Sequence, residues 1–522
     1  MWADRLGTPI CHPGQKPVTT PATRIPRPSR GSISRRAFLA GAGGIATGLA
    51  IATTGCTPNQ TTFTPTGTAP LPIPPLAPSE LLDGRRRFTL TAASGETELV
   101  TGRPDIRTAT MGYDGTFLGP TLRSRRGENV SLNVHNALTE ATTLHWHGMH
   151  LPAAMDGGPH TPIPAGASAT AQWEVKQPAA TLWYHPHPHG QTEAQVLAGL
   201  AGIFIIDDDA SDASGLPHGY GIDDLPMVLQ DRFLDSNGQI IRATDDNALG
   251  TIGNTLLANG LAGTHFEVTT ELLRLRLLNG CTARFLDLHL GDERTFTLIG
   301  TDGALLNEPV ELDHLLLSPG ERAEILIHFQ PGDKVALGTR RPDIPGGDAS
   351  VTDMTPGVFT EFRAAEVLTP AADWQLPPDQ RPALAESQAA RTRTMELKTP
   401  FLNGKLMDME RIDAIVKAGD IEVWEVSTRD PFPHNFHIHD VQFRILDING
   451  NPPPAHLSGW KDNIPVLPEE KTRLIMRFED YTDNAIPYMM HCHLLRHEDQ
   501  GMMGQFLITA NGTGPDRITA ND

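Results

Sequence analysis

The chain has 522 residues, 62 acidic side chains against 42 Lys/Arg, and a formal net charge of -20. That length exceeds one ordinary core and predicts two to four domains, while 49 Gly, 44 Pro and only 6% aromatics favour short strands over long helices. The acidic balance excludes nucleic acid as a partner, because phosphate binding requires a basic face.

Residues 1–56 hold seven Lys/Arg and one acid, leaving 35 cationic against 61 acidic side chains, a balance of -26, in the rest. Within them SRRAFLAGAGGIATGLAIATTGC, opening on Arg35 and Arg36, resembles a twin-arginine export signal. The apolar run is short and Gly-rich, which argues against a membrane span. The expectation is export from a bacterium by the twin-arginine machinery, to the periplasm, the medium or the cell surface. TTGC, ending at Cys56, offers lipid anchoring as an alternative to plain cleavage. Residues 57–80 are Pro/Thr-rich and predict a tether with no core of its own.

The body reads as three blocks of alternating strands. Residues 81–210 contain VSLNVHNAL and ATAQWEVKQ, residues 215–365 contain LLRLRLLNG and AEILIHF, and residues 395–512 contain IEVWEVST and TRLIMRFED. Residues 366–394 lack a strand pattern and predict a linker, and 513–522 form a tail. The predicted class is all-β, with three sandwich domains. Cys281, in an apolar run, is expected as a buried thiol.

Ten of the 21 histidines fall in four motifs: HWHG (His145, His147), WYHPH (His185, His187), HNFHIH (His434, His437, His439) and HCHLLRH (His491, His493, His497). Two lie in the first block and two in the last, so those domains must meet around whatever is bound. On an extended strand residues i and i+2 share a face, so each His-x-His pair can grip a metal from one side. In HCH the same alternation turns Cys492 away from His491 and His493, and one strand then touches two metal sites. A thiolate, two imidazoles and a distant thioether form the blue-copper set, here Cys492, His434, His497 and Met502. Zinc chemistry does not account for the remaining histidines.

These four motifs, in this order, resemble the copper-binding signatures of the multicopper oxidases, the family of laccases, ascorbate oxidase and the bacterial copper-efflux oxidase. FHIHDVQFRILDINGNPP and HLLRHEDQGMM most resemble the copper-efflux branch. The resemblance implies cupredoxin-like domains and four coppers per chain. The type 1 ion would sit on His434, Cys492, His497 and Met502, the type 2 ion on His145 and His437, and the type 3 pair on His147, His185, His187, His439, His491 and His493. It also implies four one-electron oxidations coupled to reduction of dioxygen to water. Asp156 and Glu498 match acidic positions that relay protons in similar enzymes, and Asp430 is a candidate proton acceptor or cation ligand at the type 1 edge. Asn435 stands where relatives commonly have Pro. His160 and His189 lie outside the ligand pattern.

Three functions follow from the resemblance: a laccase-like oxidase of phenols and aromatic amines, a cuprous oxidase in copper tolerance, and a structural relative that keeps the fold without copper. The Met-rich insert of many cuprous oxidases is missing, since residues 341–400 hold only Met354 and Met395, although Met489, Met490 and Met503 remain as soft donors. Retention of all twelve ligands argues against the structural relative.

Overall fold

The computed structural model describes residues 66, 68–242, 248–344 and 354–519. The export signal, the Arg35–Arg36 pair and Cys56 lie outside the described residues.

Six sheets pair into three sandwiches, as the all-β reading predicts. In the first, Arg85–Thr97 and Asn129–Asn136 run parallel at the centre of one sheet. The facing sheet orders Leu122–Arg125, Gly202–Asp207, Ala180–His185 and His145–His147. Val130, Leu132 and Val134 point inward at period two and join Trp146, Trp173 and Phe204 in the core. The middle sandwich has two six-stranded sheets packed through an almost wholly Leu/Ile/Val/Phe core. The third packs Ile421–Thr428 and Lys471–Arg477 on one side against His434–Ile438, Tyr488–His491 and Met503–Thr509 on the other. The outer face of the first domain's second sheet is apolar too, with Trp183, Ile203 and Ile205 packed against Val228 and Leu278 of the middle domain.

Two connecting segments differ from expectation. Within the predicted tether, Ala69–Pro70 pairs in parallel with Thr264–Thr270 of the middle domain, and Leu71 is buried in that domain's core. Prolines lack amide donors but suit an edge strand, where one ladder suffices. The predicted linker is also partly strand: Gly357–Thr369 runs into it and Ala389–Lys398 begins within it. Between them the chain is strapped down, with Gln380 donating to Asp208 at 2.9 Å and Arg381 stacked 4.7 Å from the Trp460 ring. Composition marked these stretches as loop-like, and specific side-chain contacts decided their course.

Candidate metal centre

The three-residue strand His145–His147 pairs antiparallel with Ala180–His185, opposing His145 to His185. Trp146, between the two histidines, points into the first core. In the third domain His434–Ile438 pairs with Tyr488–His491, opposing His437 to His491. Alternation splits HNFHIH: Phe436 and Ile438 enter the third core beside Cys492, whereas His437 and His439 face the first domain. The ring of His439 stacks on His145 at 3.8 Å and that of His437 on His147 at 3.6 Å. His491 and His493 lie 5.5 Å apart on the same side, with Cys492 turned the other way into the core.

All ten histidines are buried, and hydrogen bonds define which nitrogen most of them present. His145 Nδ1 donates to the Asp156 carbonyl at 3.0 Å and His437 Nδ1 to the Asp462 carbonyl at 2.7 Å, leaving both Nε2 atoms buried without a partner. His147 Nε2 donates to Asp462 Oδ1 at 3.1 Å, which leaves its Nδ1 bare. His439 Nδ1 donates to Asp156 Oδ2 at 2.6 Å and His185 Nδ1 to the Pro186 carbonyl at 2.9 Å. His491 Nε2 then lies 3.2 Å from the Nε2 atoms of both His187 and His439, and His493 Nε2 lies 3.4 Å from that of His185. Facing lone pairs at such distances repel unless a proton or cation lies between them. Protons are disfavoured, because burial holds His147, His185, His437 and His439 well below the ordinary imidazole range and His187 at about 4. The nitrogens therefore fit a cluster of metal cations.

A second cradle lies on the other side of the same segment. Cys492 Sγ is 3.5 Å from His434 Nδ1 and 3.6 Å from His497 Nδ1. Each ring is anchored by its far nitrogen, His434 Nε2 to Asp430 Oδ2 at 3.0 Å and His497 Nε2 to the Ala248 carbonyl at 2.6 Å. Met502 is buried in the surrounding core. Burial pushes the Cys492 thiol up to about 12, so its thiolate form requires an adjacent cation. Asn435 is buried, donates to the Pro319 carbonyl at 2.7 Å and lies 3.6 Å from the sulfur, a polar side chain at the position where Pro was expected.

Asp156 and Glu498 both lie against the histidine cluster. Asp156 Oδ1 is 3.3 Å from His145 Nδ1, while Glu498 Oε2 is 3.2 Å from His491 Nδ1 and Oε1 is 3.4 Å from His187 Nδ1. Asp430 is turned to His434 and the Thr399 amide, and these hydrogen bonds, against the opposing effect of burial, hold its carboxyl at about 2. It is placed to orient an imidazole more than to accept a proton. His160 bonds Gln505 at 2.7 Å and His189 is exposed, so neither faces the cluster. Cys281 is buried, and burial raises its thiol.

Sequence reading missed Asp462, which holds His437 through its carbonyl and His147 through its carboxylate across 315 positions. The stretch GWKDNIPV carries no histidine, so no spacing rule could have found it. The Ala248 carbonyl was equally invisible, since any residue type supplies one.

Residues 96–211 and 377–512 match the multicopper oxidase family. A multicopper oxidase of Staphylococcus haemolyticus is 36% identical over 433 residues, covering 82% of this chain and 89% of its own. The cell division protein FtsP of Xenorhabdus nematophila is 33% identical over 495 residues, 92% of this chain and 100% of its own. Among solved structures, a laccase from Pediococcus acidilactici superposes with a TM-score of 0.77 at 36% identity, covering 85% of this chain and 94% of that one. A multicopper oxidase from Campylobacter jejuni, described as a metallo-oxidase, gives 0.74 at 28% identity, covering 85% and 96%.

Proposed function

Because the chain belongs to the multicopper oxidase family, we propose that it is an exported, laccase-like oxidase carrying four coppers. It oxidises phenols or aromatic amines one electron at a time and reduces dioxygen, with four electrons and four protons, to two waters. His434, Cys492, His497 and Met502 hold the type 1 ion, His145 and His437 the type 2 ion, and His147, His185, His187, His439, His491 and His493 the type 3 pair. The observation that carries this reading is the pair of cradles back to back on His491, Cys492 and His493, one built on sulfur and one on nitrogen. When bound, copper would supply one-electron redox chemistry at the first and up to three electrons for dioxygen at the second, the fourth coming from the first.

The protein's own groups complete the chemistry. The HCH backbone is a covalent path between the cradles. Burial of the nitrogen cluster excludes bulk water, while Asp156 and Glu498, touching His439 and His491, deliver the protons that dioxygen reduction consumes. Asp430 keeps His434 in the tautomer that offers Nδ1. Likeness to FtsP offers a non-enzymatic alternative, opposed here by retention of every expected ligand. Cuprous oxidation is the second reading, favoured by Met395, Met490 and Met503 lining one cavity of about 210 Å3 in the third domain. Export by the twin-arginine route to a periplasmic, extracellular or surface location, with or without a lipid at Cys56, accords with a protein that loads metal as it folds.

The test is oxygen uptake by fully copper-loaded protein given a phenol, an aromatic amine or Cu(I) in separate assays. Consumption of one dioxygen per four donor electrons with the organic donors supports the reading. Strong preference for Cu(I) selects the second, and a protein that retains no copper and takes up no oxygen selects the FtsP-like alternative.

A further inference from the structure

The middle domain supplies none of the twelve expected ligands, yet one of its side chains reaches the centre. Arg322 opens the strand Arg322–His328 and is fully buried. Its Nη1 donates to Asp462 Oδ1 at 2.7 Å and its Nη2 to Asp462 Oδ2 at 2.5 Å, a fork on the carboxylate that holds His147. Its Nε donates to the Thr181 carbonyl at 3.2 Å, on the strand that ends at His185, and its own amide is bound by Asp302 Oδ1 at 2.8 Å. Asp302 is tied in turn to Lys461 at 3.0 Å, next to Asp462 in the chain, and Lys461 to Glu321 at 2.8 Å. One guanidinium thus touches all three domains. The crowding explains the glycine of HWHG: a Cβ on Gly148, which has φ +84°, would run into Asp462 Oδ2 and Arg322 Nη2.

We propose that Arg322 is a positioning residue for the type 2 side of the copper cluster: by clamping both oxygens of Asp462, it sets the ring placement of His147 and His437. This rests on the four-copper reading above. The chemistry is specific. Asp462 uses Oδ1 for His147 and its backbone carbonyl for His437, so a tilt of this one residue moves a type 3 and a type 2 ligand together. Without its cation, a buried carboxylate would draw a proton or turn toward another donor. Only a bidentate partner defines both its position and its plane, and Lys, a single point charge, cannot.

The experiment compares wild type, Arg322→Lys and Arg322→Gln after copper reconstitution, by copper count, type 1 blue absorption, the type 2 paramagnetic resonance signal and copper retention against a chelator. Both variants are expected to keep type 1 absorption while the type 2 signal broadens or is lost and its retention falls roughly 10–100-fold, as for other partners of metal ligands. Wild-type retention and an unchanged type 2 signal in either variant overturn the proposal. If Arg322→Gln does not fold, Arg322→Lys decides alone: parallel loss of type 1 and type 2 copper would mark a mere interdomain clamp and overturn it. Wild-type protein with no type 2 signal would instead overturn the four-copper reading, and this inference with it.

Discussion

The carboxylate of Asp156 accepts a 2.6 Å hydrogen bond from Nδ1 of His439, across 283 positions of chain and between the first and third domains. It is both an orienting acceptor and the acid nearest the cluster's stacked His145–His439 pair. Asp156→Asn retains the size and the backbone carbonyl that holds His145 but cannot carry a proton. Reoxidation of the fully reduced protein by dioxygen is expected to slow about 10²–10⁴-fold, the usual worth of a placed acid or base. Anaerobic reduction of the type 1 centre by a donor should stay at the wild-type rate, and stopped-flow absorption checks both halves.

Asp430 acts on the other cradle. Asp430→Ala strips the acceptor from His434 Nε2 and from the Thr399 amide, freeing the ring to rotate. Type 1 copper retention should drop roughly 10–100-fold, with a shift in reduction potential. Asp430→Asn, which keeps an acceptor oxygen, should restore most of the retention. Equal behaviour of the two variants would mean that charge, not orientation, is what the position contributes.

His150 sets a pH limit on stability. Burial alone would lower it, but the Asp440 carboxylate at 2.8 Å and Asp480 at 3.1 Å, with Glu479 at 3.9 Å, raise it from 6.5 to about 9; Lys176 and the Tyr481 ring are its other polar neighbours. A group raised on folding contributes stability that is complete below its unfolded value and fades as pH climbs through its folded one. Resistance to chemical denaturation should therefore decline between pH 6.5 and about 9, by roughly 1–3 kcal/mol. His150→Gln should flatten that decline, measured as the difference between the two proteins at each pH.

Removal of copper is expected to destabilise the fold itself. The Nε2 atom of His491 is left facing those of His187 and His439, each 3.2 Å away, and a ligand bound only by the native state at a thousandfold over its Kd contributes about 4 kcal/mol. Calorimetry of loaded, chelated and reloaded protein should give a high, a low and a high transition. A chelated protein that melts with the loaded one would contradict the metal cluster.

Much of this was legible in the sequence because it depends on period two. His-x-His on extended backbone puts two rings on one side, and Cys492 between two histidines must face the other way; burial of Trp146 between His145 and His147 is the same rule. Inward alternation along Asn129–Asn136 likewise announced a sandwich strand. These are local consequences of covalent geometry, and no distant residue can alter them.

For His145, His147, His437 and His497, tertiary structure decided which nitrogen the ring presents and what holds it there. The acceptors are Asp462, the Asp156, Asp462 and Ala248 carbonyls, and behind them Arg322 from a domain without a single expected ligand. Local pattern is blind to them because they come from remote segments, several through backbone atoms common to every residue type. The same holds for Leu71 and Arg381, which closed packing drew out of apparently loose connections. The chain's own alternation thus determined the ligand faces, and the meeting of three sandwiches determined their chemistry, since hydrogen bonds across folded distances cost nothing in sequence proximity.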